Sequence, residues 1–271
     1  MKILSRIYVA LIVIFLYLPV AVMVFFSFNS AESVWVFEGF SLKWYLGLAS
    51  DTDMLTALLH TLIVAVCSAI ISTVLGTAAA VGIMSFRNRV AKKLVMSTTQ
   101  IPMMNADIVT GISLMFLFVF IGKLIGLNES LGFVTVLIAH ITFNLPYVIL
   151  SVLPKLKETD VHLHEAALDL GCTPLRAFFK VILPAISTGV ATGCIMAFTL
   201  SLDDFVISYF TCGSYQTLPI LIYNMTKKSV KPDTYALSSI IFVVIFLLLM
   251  FYNVVQNKGE NKNKLKKGKS R

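Results

Sequence analysis

Three carboxylates stand where carboxylates are costly. Asp107, Asp203 and Asp204 fall within long apolar runs that contain no Lys or Arg to neutralise them. Ionisable groups at membrane depth are rare and usually functional. Such an acid is protonated, hydrated in a cavity, or paired with a cation in transit, and the last suits a cationic substrate. All three are candidate substrate-path residues. The competing role for Asp107, which follows Pro102, is a polar contact between helices. Asp203 and Asp204 lie about 30 Å along a helix from Leu183, at ~1.5 Å per residue, so a wet position on the outer rim competes there.

Other chemistries find little support. Cys67, Cys172, Cys194 and Cys212 are scattered singly, without the C-x-x-C pairing of a zinc site or the pattern of a disulfide framework. His162 and His164 stand two apart, which points them to different faces of a helix and argues against a shared metal. No G-x-x-x-x-G-K-[ST] phosphate loop occurs. No Ser/His/Asp constellation is convincingly placed either. The expectation is a chain with no catalytic residues, no cofactor and no metal.

The elements that hold the three acids are membrane helices. Of 271 residues, 58% are hydrophobic and 13% charged, with mean hydropathy +0.87; soluble domains carry about 25% charged residues. A spanning helix needs ~20 apolar residues. Such runs fall at 7–28, 61–84, between Lys93 and Lys123, and at 131–153, 183–207 and 236–255. The first is too long for a signal peptide and lacks a small-residue cleavage site, so it is expected to be retained. The second carries Ala65, Ala69, Ser72, Gly76 and Ala80 at spacings of three or four. Small residues on one stripe let helices approach closely in lipid, which places this helix inside a bundle. The fold class is all-α: a polytopic bundle of about six transmembrane helices.

Basic residues set its orientation. With the N-terminus inside, 17 of 22 Lys and Arg fall on inner segments, and the bias holds at 10 against 5 without the tail. Both termini are expected to be cytoplasmic. Residues 1–257 form the membrane domain, and 258–271 a basic, disordered cytoplasmic tail near anionic lipid headgroups. No nucleic-acid-binding signature accompanies that charge.

The inner segment at 154–183 is the other place where chemistry is written. It reads Glu165-Ala166-Ala167, three residues, Gly171, nine residues, then Val181-Ile182-Leu183-Pro184. Thr159 or Asp160 can cap a short helix that Gly171 stops. Thr173 can cap a second, with Pro174 at its first position. The two alanines leave a low face suited to another protein's groove, with Glu165 available to a basic partner. The spaced pattern resembles the coupling motif of type I ABC importer permeases, with Val181 where isoleucine is usual. The resemblance implies that Glu165, Ala166, Ala167, Gly171, Leu183 and Pro184 form an ATPase-coupling loop. ATP hydrolysis would then belong to a separate subunit, and the chain to the bacterial inner membrane.

Cargo is implied by a narrower resemblance. The segment Phe198-Thr199-Leu200-Ser201-Leu202-Asp203-Asp204-Phe205-Val206 resembles the fifth-helix region of PotC-type permeases from spermidine/putrescine importers. Asp107-Ile108-Val109, His140-Ile141-Thr142-Phe143 with Leu145-Pro146, and Leu218-Pro219-Ile220 do so too. The implied partners are a second, PotB-like permease, an ATP-binding cassette dimer and an extracytoplasmic polyamine-binding protein. Permeases for iron(III) or oxyanions share the fold and the coupling loop. A secondary transporter would need its own ion-coupling elements, commonly with inverted repeats.

Overall fold

The computed structural model describes residues 2–31, 36–86, 88–127, 130–160, 162–228, 233–247 and 250. The described residues are almost entirely helical, with an isolated antiparallel bridge between Asn29 and Phe40. Among the described residues, four helices are long and apolar enough to cross a membrane, and five spans result if one bent pair is counted as a span. The chain divides into two compact units, Ala57–Ile220 and Met1–Thr56 with Leu221–Arg271.

The first unit is organised around α6 (Phe133–Glu158), half of whose apolar window is buried. It packs against α3 (Thr52–Ser85) and α10 (Ser187–Asp203) through Val148, Ile149, Val152 and Leu153. The stripe expected on α3 is the face that is buried: Ala65, Ala69, Ser72, Gly76 and Ala80 are all inaccessible. Lipid tails are as apolar as these side chains, so close packing rather than the hydrophobic effect joins such helices. Val148 shows how close they come. A Cβ on Gly76 would lie 2.7 Å from its Cγ1, and one on Gly193 of α10 3.2 Å from its Cα. Glycine is required there for space.

Two expected spans are not continuous. The run between Lys93 and Lys123 is split into α4 (Arg89–Met104) and α5 (Asp107–Leu124) by extended backbone at Asn105 and Ala106. The stretch from Ser97 to Gln100 is polar, and α4 buries none of its residues. Pro102 weakens its last turn by withholding an N–H. Only α5 is a span, beginning at Asp107, where a carboxylate complements the positive end of the helix dipole. The run at 183–207 is bent by 75° between Pro174–Ala185 and α10. Pro184 cannot donate to the Lys180 carbonyl, and a π-helical turn at Phe178–Ile182 precedes it. The same run breaks again at Asp204, which is extended, before α11 (Val206–Thr211).

The fourth run also differs, since α6 continues past residue 153 to Glu158, where Lys155 Nζ lies 2.9 Å from the Glu158 carboxylate. In the second unit, α1 (Lys2–Phe26) leaves its whole apolar window exposed among the described residues. The chain beyond it is tied by Asn29, whose Nδ2 donates to Val36 O at 2.6 Å and whose Oδ1 accepts from the Glu38 N–H at 3.1 Å. An aromatic stack of Phe28, Phe40 and Tyr45 follows, running into α2 (Lys43–Ser50). Helix α12 (Leu218–Lys228) leads to a final apolar helix, Asp233–Leu247. Residues 251–255 of the sixth expected span and the basic tail at 258–271 lie outside the described residues.

Candidate functional site

The segment after α6 folds as its capping residues dictate. Thr159 ends α6, returning its hydroxyl to Lys155 O at 2.8 Å. Asp160, not Thr159, opens the next helix, its Oδ1 accepting the His162 N–H at 3.0 Å. That helix is α7 (His162–Asp169). It stops at Gly171, φ +84°, with the Gly171 N–H donating to Leu168 O at 2.9 Å and the Cys172 N–H to Ala167 O at 3.1 Å. The pair of bonds is a Schellman ending, which needs a left-handed residue at Gly171. Thr173 then takes an extended conformation and Pro174 starts α8 (Pro174–Ala177), as expected, although the Thr173 side chain makes no capping bond.

One expectation about this loop fails. Ala166 and Ala167 do not present a shared open face: Ala166 is exposed, while Ala167 is only 7% exposed. Alanine at 167 lets α7 settle on the chain's own loop, where α8 contributes the fully buried Ala177. Glu165 projects outward, its side chain 75% exposed and 3.5 Å from His162 Nδ1. Leu170, Leu175 and Phe179 are also exposed, so the segment leaves large apolar side chains uncovered beside the exposed carboxylates Glu165 and Asp169. Leu183 is half-buried against the core that α6 builds, and Pro184 is exposed at the bend. His162 and Glu165 form no larger ligand set; no group of three or more metal-ligating side chains occurs among the described residues.

The acids divide into two kinds. Asp107 is exposed at the first turn of α5, and Asp203 is exposed as the last residue of α10. Asp204 is neither wet nor on a rim, with its side chain 8% exposed. Its Oδ1 accepts the Ile207 N–H at 3.3 Å and its Oδ2 the Ser208 N–H at 2.8 Å, so it caps α11. The basic partner absent from the Lys and Arg count is His140 of α6, whose Nε2 lies 3.4 Å from Oδ2.

Sequence reasoning passed over the company this pair keeps. His140 Nε2 is also 2.9 Å from Ser208 Oγ. One turn along α6, Asn144 Nδ2 donates to Ser201 Oγ at 2.8 Å, and Ser201 Oγ is 2.9 Å from Ser68 Oγ of α3. His140, Asn144, Ser68, Ser201 and Ser208 are all buried. A signal existed: His140 and Asn144 stand four apart in an apolar run, hence on one helix face.

These apolar helices, one pair of them bent, define a polytopic helical membrane protein. The chain belongs to the family described as binding-protein-dependent transport system inner membrane component, whose profile matches residues 72–258. It is a multi-pass protein of the inner membrane. The putrescine transport system permease protein PotI of Escherichia coli (strain K12) is 40% identical over 229 residues, 84% of this chain and 81% of its own. The spermidine/putrescine transport system permease protein PotC of the same strain is 39% identical over 237 residues, 87% of each chain. PotC of Haemophilus influenzae is 35% identical over 248 residues, covering 91% and 94%. Among solved structures, a bacterial ABC transporter involved in the import of the acidic polysaccharide alginate matches with TM-score 0.71. It does so at 16% identity over 95% of this chain and 96% of its own. That likeness shows the fold alone, so the fold does not choose the sign of the cargo.

Proposed function

We propose that this chain is the polyamine-translocating permease of an ATP-driven importer, passing putrescine or spermidine into the cytoplasm. The observation that carries the cargo is its similarity to PotI and PotC, at 35–40% identity over more than four-fifths of each chain. The site's chemistry agrees. Asp107 and Asp203 offer exposed carboxylates at helix ends, and the last carbonyls of α10 add the negative end of a helix dipole beside Asp203. Discontinuous membrane helices are where transporters commonly place such groups. Weak successive sites suit passage, because cargo must leave as readily as it enters. Asp204 serves this route by shaping the break rather than by meeting cargo.

In the same proposal both termini and α7 lie on the cytoplasmic side. A separate ATPase dimer receives α7, with Glu165 and the exposed apolar side chains of the loop at its surface, and Gly171, Leu183 and Pro184 set its angle to the bundle. A second permease and an extracytoplasmic polyamine-binding protein complete the complex. Closure of the ATPases rocks the bundles between two states. The test is uptake of labelled putrescine and spermidine by cells with and without this gene, alongside Asp107→Asn. Gene-dependent uptake, lowered by Asp107→Asn at equal membrane abundance, is expected. Uptake of an oxyanion instead would overturn the cargo and leave the permease role standing.

A further inference from the structure

Asp203 stands between two polar clamps that α6 holds on the same chain. On one side Asn144 grips Ser201 in the last turn of α10. On the other, His140 grips Asp204 and Ser208 at the start of α11. We propose that His140 is a positioning residue for cation transport: its bond to Asp204 ties the break between α10 and α11 to α6, and so aims the Asp203 carboxylate at passing cargo. The cargo part rests on the polyamine reading above.

The chemistry of the pair argues that its polar contact is what the site requires. With the proton on Nε2, its N–H faces two acceptors, Ser208 Oγ at 2.9 Å and the Asp204 carboxylate at 3.4 Å. His140 Nδ1 is then left buried with no partner, and Asn144 Oδ1 likewise. Unpaired buried polar atoms are costly, and an apolar side chain of similar size on α6 would avoid that cost. A purely packing role therefore favours Leu at position 140; a role that needs an N–H at Asp204 does not. Asp204 in turn cannot be spared, because it supplies acceptors for two backbone N–H groups at the break, where the α10 hydrogen-bond ladder has ended. With His140 gone, α11 can keep its cap, but the cap is no longer fixed to α6. The residue between the clamps then loses its fixed direction.

The whole complex, reconstituted in proteoliposomes with its binding protein, allows a test with two readouts. The first is putrescine transported per ATP hydrolysed. His140→Leu should lower it about tenfold, the loss of a hydrogen bond to a charged group, at unchanged abundance and ATPase rate. His140→Gln, whose amide N–H can reach the same carboxylate, should restore most of it. The second readout does not depend on cargo: the rate at which a small charged thiol reagent modifies Asp203→Cys, measured against the same protein without that cysteine. His140→Leu should change this rate severalfold and His140→Gln should not. An unchanged rate in His140→Leu overturns the proposal whatever the complex transports. Equal defects in the Leu and Gln variants, or lost abundance in both, would also overturn it, because shape rather than the N–H would then be what matters. Failure of the unaltered complex to carry putrescine defeats the substrate reading, and the labelling rate still decides the role of His140.

Discussion

At position 171 the backbone and the surrounding space make different demands, and the two can be separated. Gly171 has φ +84°, yet a Cβ built there would meet nothing within 4 Å. Any intolerance is therefore conformational. For an ordinary L-residue the left-handed region costs about 1–2 kcal/mol, with Asn less disfavoured. Gly171→Val should misdirect the end of α7 and reduce transport strongly, while Gly171→Asn should stay near normal. Uptake, together with co-purification of the ATPase, checks the pair. Equal behaviour of the two variants would dissociate the coupling role from this turn. Much of the loop was legible beforehand, because helix starts and stops are written in single residue types: Gly171 and Pro174, with Asp160 one of two candidate caps. The facing of Ala166 and Ala167 was not. Two adjacent alanines on a helix point about 100° apart, and only packing decides which one is covered. Nor was the state of Asp204 legible, since its partner His140 is 64 positions away in sequence.

Neighbouring helices press close against α6, and the glycines beside it can be tested. Gly76→Ala places a Cβ 2.7 Å from Val148 Cγ1, inside any real contact. Overpacking of this kind costs about 1–3 kcal/mol. The variant should show reduced membrane abundance and a lower aggregation temperature in detergent. Val148→Ala in the same chain removes the nearer atom but leaves its Cβ 2.8 Å away, so it should recover part of both. Failure of that rescue would mean that α3 and α6 do not meet at this point. Apolar length and the small-residue stripe made these helices readable, because both are sums over a local window. The breaks at Asn105 and Asp204 escaped the same sums. An extended pair of residues inside an apolar run changes hydropathy little, yet it divides one helix into two. Pro102 and the polar stretch from Ser97 to Gln100 marked the first and Asp204 the second, and proline within α6 at Pro146 and Pro154 breaks nothing.

The orientation of the whole molecule rests on its distribution of charge, and α3 offers a way to test it that carries its own control. The helix has 34 residues, a rise of about 51 Å at ~1.5 Å per residue, against a hydrocarbon core of about 30 Å. Asp51 immediately precedes it and Asn88 lies three residues beyond its end, so a spanning α3 puts them on opposite sides. Asn88 is flanked by Arg87 and Arg89, with Lys92 and Lys93 one turn on, while Asp51 has acidic Asp53 beside it. Lys and Arg near helix ends favour the cytoplasm. A membrane-impermeant thiol reagent added to intact spheroplasts should therefore label Asp51→Cys and spare Asn88→Cys until the membrane is opened. Because the native cysteines are present in both variants, only the difference between them counts. The reverse pattern would invert the molecule, carrying α7 to the side without ATP and ending the coupling proposal. Labelling of both positions in intact cells would deny that α3 crosses at all, and the packing of its small-residue face would need another explanation. The expected pattern places the loop after α6, two crossings further along if α5 and α6 each span once, on the same side as Asn88, where an ATPase can reach Glu165.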